Sequence, residues 1–127
     1  MLSHDEIAAW ATAYIEAQTI PHIPADHPLW WAIERFMLVV GTDVSPEDCW
    51  KAILEVLSRD PPKEVIGVLA AGAQEDLIAS HGAEFIERIE YESRRNPAFR
   101  HLLGGVWKNS STPDVWARVE KARGQTW

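Results

Sequence analysis

The sequence predicts an all-α chain, an irregular bundle or short array of about seven to eight antiparallel helices, built as helical hairpins in an α-solenoid-like manner. Three observations predict it. Units of cap, proline and apolar stripe recur, and Pro28, Pro46, Pro61, Pro97 and Pro113 each stand where a helix should open. The connectors are short, which makes consecutive helices near-antiparallel neighbours. No alternating run has turn residues on both sides, so no sheet is expected. The best strand candidate, Leu38-Val39-Val40, lies inside a helical pattern. Residue identities do not return at a fixed period, which argues against a true repeat protein.

The elements follow in order. Ser3 and Glu6 form a capping-box pattern ahead of Ile7, Trp10, Ala11, Tyr14, Ile15 and Gln18, which predicts a first helix over 3–18. Pro21 and Pro24 predict an extended loop over 19–25. Asp26 should cap a second helix with Leu29, Trp30, Ile33, Phe36, Met37 and Val40 on one face and Gly41 as its stop. Ser45-Pro46-Glu47-Asp48 opens a third, which buries Trp50, Ile53, Leu54 and Leu57. Asp60-Pro61 opens a fourth, which Gly72 ends or kinks. A short fifth helix over 73–80 stops at His81-Gly82, and a sixth covers 83–95. On the sixth, Glu84 with Arg88 and Glu90 with Arg94 have ion-pair spacing. Asn96-Pro97 starts a seventh that Gly104-Gly105 ends. Ser111-Thr112-Pro113-Asp114 starts an eighth, which carries Val115, Trp116 and Val119 to a stop at Gly124.

Composition narrows the function classes. The 127 residues contain 12 bases and 19 acids, a net charge of −7, which argues against nucleic acid and anionic membranes as partners. The lone Cys49 excludes an internal disulfide and a Cys-rich zinc site, and a buried, inert thiol is its simplest reading. No apolar run approaches the ~20 residues that span a bilayer. Asp5 and Glu6 stand where a secretory signal would be basic. The expectation is a single soluble, cytoplasmic domain over 1–127. Residues 1–60 hold ten acids and three bases, whereas 61–127 hold nine of each. The acid surplus reads as a solvated face or as a docking face for a basic partner. Asp5, Glu6, Glu16, Asp26, Asp43, Glu47, Asp48 and Glu55 should be mostly exposed, with Glu47–Lys51 and Glu55–Arg59 as the available i,i+4 pairs. Trp10, Trp50, Trp107 and Trp116 should be mostly buried, and Trp31 should lie at a boundary or interface.

The most distinctive stretch runs from Gly72 through Glu75, Asp76, Leu77 and Ile78 to His81 and Gly82. Asn96, Pro97, Phe99, Arg100 and Leu103 follow, and then Val106 and Trp107. This succession resembles an uncharacterised family of small bacterial helical domains marked by Gly-x-x-Glu-Asp-Leu-Leu/Ile-x-x-His-Gly. The resemblance spans about residues 50–120; it implies an all-helical fold and a bacterial origin, and carries no activity.

Helix punctuation explains most of this motif. Glu75 and Asp76 suit the positive start of a short helix, His81 suits its end, and Gly82 suits a left-handed stop. The sharper reading is a polar pocket in which Glu75, Asp76 and His81 meet Arg100 or Trp107. A metal site fits poorly, because His81 lies six and five residues from the two acids, not three or four. His22 and His27 lack further ligands at suitable spacing, and no cofactor motif, nucleophile elbow or phosphate loop is present.

The expected function is a non-catalytic protein-protein interaction domain. Its candidate partner face comprises Asp5, Glu6, Glu16, Asp26, Trp31 and Asp43. A toxin-neutralising immunity protein is one specific form. A small enzyme or ligand-binding protein using Glu75, Asp76 and His81 is the rival.

Overall fold

A computed structural model describes residues 1–37 and 44–127. Val40, Gly41 and Asp43, and the strand candidate Leu38-Val39-Val40, lie outside the described residues. Seven α-helices and one π-helical turn follow one another, with no strand among the described residues. They are α1 (His4–Gln18), α2 (Trp30–Arg35), α3 (Pro46–Ser58), α4 (Lys63–Leu69), the π-helical turn Ala70–Gln74, α5 (Glu75–Arg95), α6 (Pro97–Leu103) and α7 (Pro113–Ala122). No helix is long and apolar enough to cross a membrane. The contacts group into two compact units, Met1–Ile66 and Gly67–Trp127, with the chain passing from one to the other within α4.

The first unit is built on side-chain caps. The Ser3 hydroxyl accepts the Glu6 N–H at 3.1 Å, and the Glu6 carboxylate accepts the Ser3 N–H at 3.0 Å. The same reciprocal box opens α3 between Ser45 and Asp48. Here the sequence expectation for Asp48 fails, since it is fully buried. It accepts the Ser45 N–H, the Ser45 hydroxyl and the Leu2 N–H at 3.0–3.1 Å. Burial alone would raise its pKa. The hydrogen bonds from Ser45 and Leu2 outweigh that and hold the carboxyl below its ordinary value. Beside it, Cys49 is buried, and its thiol is pushed up to about 12 by burial and then by the Asp48 charge.

Trp10 is completely buried and fixes α2. Its indole N–H donates to the Ala32 carbonyl at 2.9 Å, and Phe36 packs against it with ring centroids 4.4 Å apart. Tyr14 meets the same Phe36 edge-on at 4.9 Å. α2 differs from its predicted extent at its start. It begins at Trp30 with no side-chain cap, and Asp26 is exposed in the loop. The His27 ring performs the local task, accepting the Leu29 N–H at 3.0 Å. Asp60, expected to open the fourth helix, instead ends α3 with a left-handed φ of 50°.

In the second unit, the predicted break at His81-Gly82 is present as a kink between two helical stretches, whereas at Gly72, expected to end or kink the fourth helix, the helical run goes on. A π-helical turn takes in Gly72, absorbing an extra residue instead of ending the run. At His81 the backbone kinks, with φ −135° and ψ 22°, and helix continues to Arg95. Gly82 serves close packing, not a left-handed stop. A Cβ there would lie 2.7 Å from a Val115 methyl of α7. Glu90, expected to pair with Arg94, is held by Arg118 of α7 through both carboxylate oxygens. The predicted starts of the last two helices stand, because Asn96 caps α6 and Thr112 caps α7, each followed by proline.

Candidate functional site

The five residues of the sequence-derived polar pocket fall in three places. Glu75, at the start of α5, faces the loop after α6. Its carboxylate accepts the Trp107 N–H at 2.8 Å and the Asn109 side-chain amide at 3.4 Å. Asn109 tolerates the left-handed φ of 48° that this loop requires. Glu75 and Trp107 therefore do meet, through the Trp107 backbone. Asp76 is exposed as a residue. Burial of its carboxyl, and after it the Glu75 charge, push its pKa above the ordinary value.

His81 lies about one and a half turns further on. Its ring contacts Glu84 at 3.3 Å beside a shallow depression of about 160 Å³ lined also by Thr112 and Val115. Neither Glu75 nor Asp76 lines that depression. Arg100 occupies a third place, with Arg94 and Lys121. Glu75 and His81 are thus engaged separately, Glu75 by the loop at Trp107 and Asn109 and His81 by Glu84. Among the described residues, no three His, Cys, Asp or Glu side chains gather as metal ligands.

A feature that sequence reasoning missed lies next to Glu75. Trp107, expected in the core, is 74% exposed. Trp127 is 51% exposed, and Trp116, also expected to be mostly buried, is half-buried. The three line a groove of about 450 Å³ together with Lys108, Arg123 and Thr126. Each wall is fixed. Trp107 is held by its backbone bond to Glu75. Trp127 stacks on His101 at 5.0 Å, donates its indole N–H to the His101 carbonyl at 2.7 Å, and bonds through its own N–H to the Gly104 carbonyl at 3.1 Å. Arg123 lies over the Trp116 ring at 5.3 Å and pairs with Glu120 at 3.5 Å.

Gly104 and Gly105 make this possible. A Cβ on Gly105 would sit 2.6 Å from the Trp127 ring, and one on Gly104 would sit 2.2 Å from the Gln125 carbonyl oxygen. The sequence marked this pair only as a helix end. It is the seat of Trp127.

The candidate partner face of the first unit is spread out. Asp5, Glu6, Glu16 and Asp26 are exposed. Asp5 and Glu16 share a side of α1, but eleven residues of rise separate them by about 16 Å, beyond the ~8–10 Å screening length at ordinary salt. Trp31 is exposed as expected, with the Arg35 guanidinium 4.5 Å over its ring. Glu55 and Arg59 form the anticipated pair at 3.3 Å. Asp43 lies outside the described residues.

No curated protein and no solved structure matches the chain. A family model matches residues 20–127, which takes in the whole groove and every residue of the polar pocket. The chain therefore belongs to DUF6869, a family of unknown function.

Proposed function

We propose that this is a non-catalytic protein-binding domain, and that the tryptophan groove takes an extended, acidic, proline-containing segment of its partner. The observation that carries the reading is Trp107, a large aromatic exposed to water on a backbone already fixed by Glu75. Ordered aromatic side chains anchor interfaces because they bury much area at little entropic expense. Aromatic-lined grooves suit extended proline-containing chains. An acidic occupant is favoured by the lining, whose ionisable side chains are Lys108 and Arg123, the latter also paired with Glu120.

Fluorescence titration with two synthetic decapeptides tests this, one alternating Glu, Pro and Leu, the other with Lys for Glu. The acidic peptide should bind and the basic one should not. Trp107→Ala should weaken binding by about 2 kcal/mol, some thirtyfold. Equal binding of both peptides, or no effect of Trp107→Ala, would refute the reading.

A basic partner at the first unit is a separate reading, in the narrower form an immunity protein. It is supported by the acid surplus of residues 1–60 and the exposure of Asp5, Glu6, Glu16 and Asp26. Its mark would be an association rate that falls steeply with salt.

A further inference from the structure

The net charge of −7 conceals a reversal along the chain. Residues 94–127 contain seven bases (Arg94, Arg95, Arg100, Lys108, Arg118, Lys121 and Arg123) and two acids (Asp114 and Glu120), so 7 − 2 gives +5. Residues 1–93 then carry −12. Three of these bases, Arg94, Arg100 and Lys121, line one pocket of about 240 Å³ with Glu90, Ser93 and Ala122. At ~30 Å³ per water, that is room for about eight waters, or for a phosphate group and part of what carries it.

The ordinary explanation of each cation is local. Arg94, Arg100 and Lys121 lie in the last turns of α5, α6 and α7, where helix dipoles favour positive charge. Magnitudes decide whether that suffices. Each helix end offers at most about half a negative charge, so three ends offset about 1.5 of three positive charges. Glu90 attracts Arg94 and Lys121, but its own charge is matched by Arg118, which engages both of its oxygens, so that pair is neutral as a whole. Among the described residues, none of Arg94, Arg100 and Lys121 forms an ion pair. A surplus of about 1.5 positive charges is left in one concavity.

The walls of that concavity are fixed. The Ser93 hydroxyl donates to the Ala122 carbonyl and ties α5 to the end of α7. Gly124 leaves space for Arg100, whose Nε lies 3.3 Å from where a Cβ would stand. Two guanidinium groups offer planar forks for oxyanions, and the ammonium adds a point charge. A phosphate monoester carries ≈ −1.5 to −2 at neutral pH, which matches the surplus.

We propose that the pocket at the ends of α5, α6 and α7 binds a soluble phosphate monoester through Arg94, Arg100 and Lys121. The site is separate from the tryptophan groove and does not depend on the proposed peptide function.

The test is an amide-resolved NMR titration of the full chain with glycerol 3-phosphate, at ionic strength held constant with sodium chloride. Saturable shifts are expected at residues 93–100 and 121–124. Arg94→Gln combined with Arg100→Gln should weaken binding about tenfold or more, and Lys121→Gln alone about threefold or more. Arg95→Gln is the control. Arg95 pairs with Glu92 at 3.4 Å and lines no part of the pocket, so its loss should change affinity less than about twofold. All four side chains are exposed, and an unchanged circular dichroism spectrum confirms that each variant folds. Shifts that do not saturate, or an Arg95→Gln effect equal to that of the pair, would overturn the proposal. Retention on phosphatidic acid vesicles without a saturable response to glycerol 3-phosphate would also overturn it, by making the ligand a membrane surface.

Discussion

In residues 1–66, Trp10 and Trp50 are buried on the inner faces of α1 and α3, whereas in residues 67–127 Trp107 and Trp127 stand exposed around a groove. The difference lies in what fixes each residue. Trp10 and Trp50 occupy helical stripes, so the 3.6-residue period turns them inward. Trp107 follows a helix, in a loop anchored by the buried Val106 and by the Glu75 carboxylate that accepts the Trp107 N–H. Tryptophan is thus packed into the core at Trp10 and Trp50 and left open to water at Trp107 and Trp127.

Substitution breaks or sharpens this contrast. The largest effect should come from Trp10→Ala, a loss of ~3–5 kcal/mol in urea unfolding, with Trp50→Ala close behind. Trp107→Ala, the same chemical change, should cost under ~1 kcal/mol. A large loss at Trp107 would erase the distinction. Next, Gly104→Ala forces a Cβ toward the Gln125 carbonyl, and about 1–3 kcal/mol should be lost along with the ordered amide signal of Trp127.

The third change probes the first unit through pH. Asp48→Ala removes the acceptor of three hydrogen bonds and should cost about 1–3 kcal/mol at neutral pH. The Asp48 pKa is lowered on folding, so the unfolded chain binds the proton first as pH falls. Its stabilisation is complete well above 3.8, the ordinary value, and is lost as pH falls from there through the lower folded value. Unfolding curves of wild type and variant should converge over that window, and a constant gap would show that the charge is not involved. The smallest effect concerns Gln74, buried in the π-helical turn with neither side-chain atom hydrogen-bonded. Gln74→Leu should be neutral or stabilise by up to about 1 kcal/mol in thermal unfolding.

Four helix starts were legible in the sequence because their causes are local, whereas Asp26 and Asp60 are also of capping type and cap no helix start. Ser3, Ser45, Asn96 and Thr112 each bond a backbone N–H three residues on, and the residue types alone announce it. Stops were partly legible. The break at His81 is there as a kink between two helical stretches, whereas a π-helical turn takes in Gly72. The burial of Asp48 was not legible. Its pairing with Ser45 is local, but the Leu2 N–H that completes its burial comes from 46 positions away. Of the candidate site, the Glu75 and Trp107 neighbourhood was anticipated, whereas its character was not. The cationic pocket did leave a sequence trace, in the excess of bases after position 93, but a division of the chain at residue 60 averages it away.

The contact between Gly82 and Val115 constrains how this chain can change over time. Any side chain larger than hydrogen at 82 meets the Val115 methyl, so the two sites share one fixed volume. Gly82→Ala should be harmful beside Val115 and tolerated beside Val115→Ala, an epistatic pair measurable as a double-mutant cycle. In relatives the two positions should drift together, with residues larger than glycine at 82 accompanied by residues smaller than valine at 115.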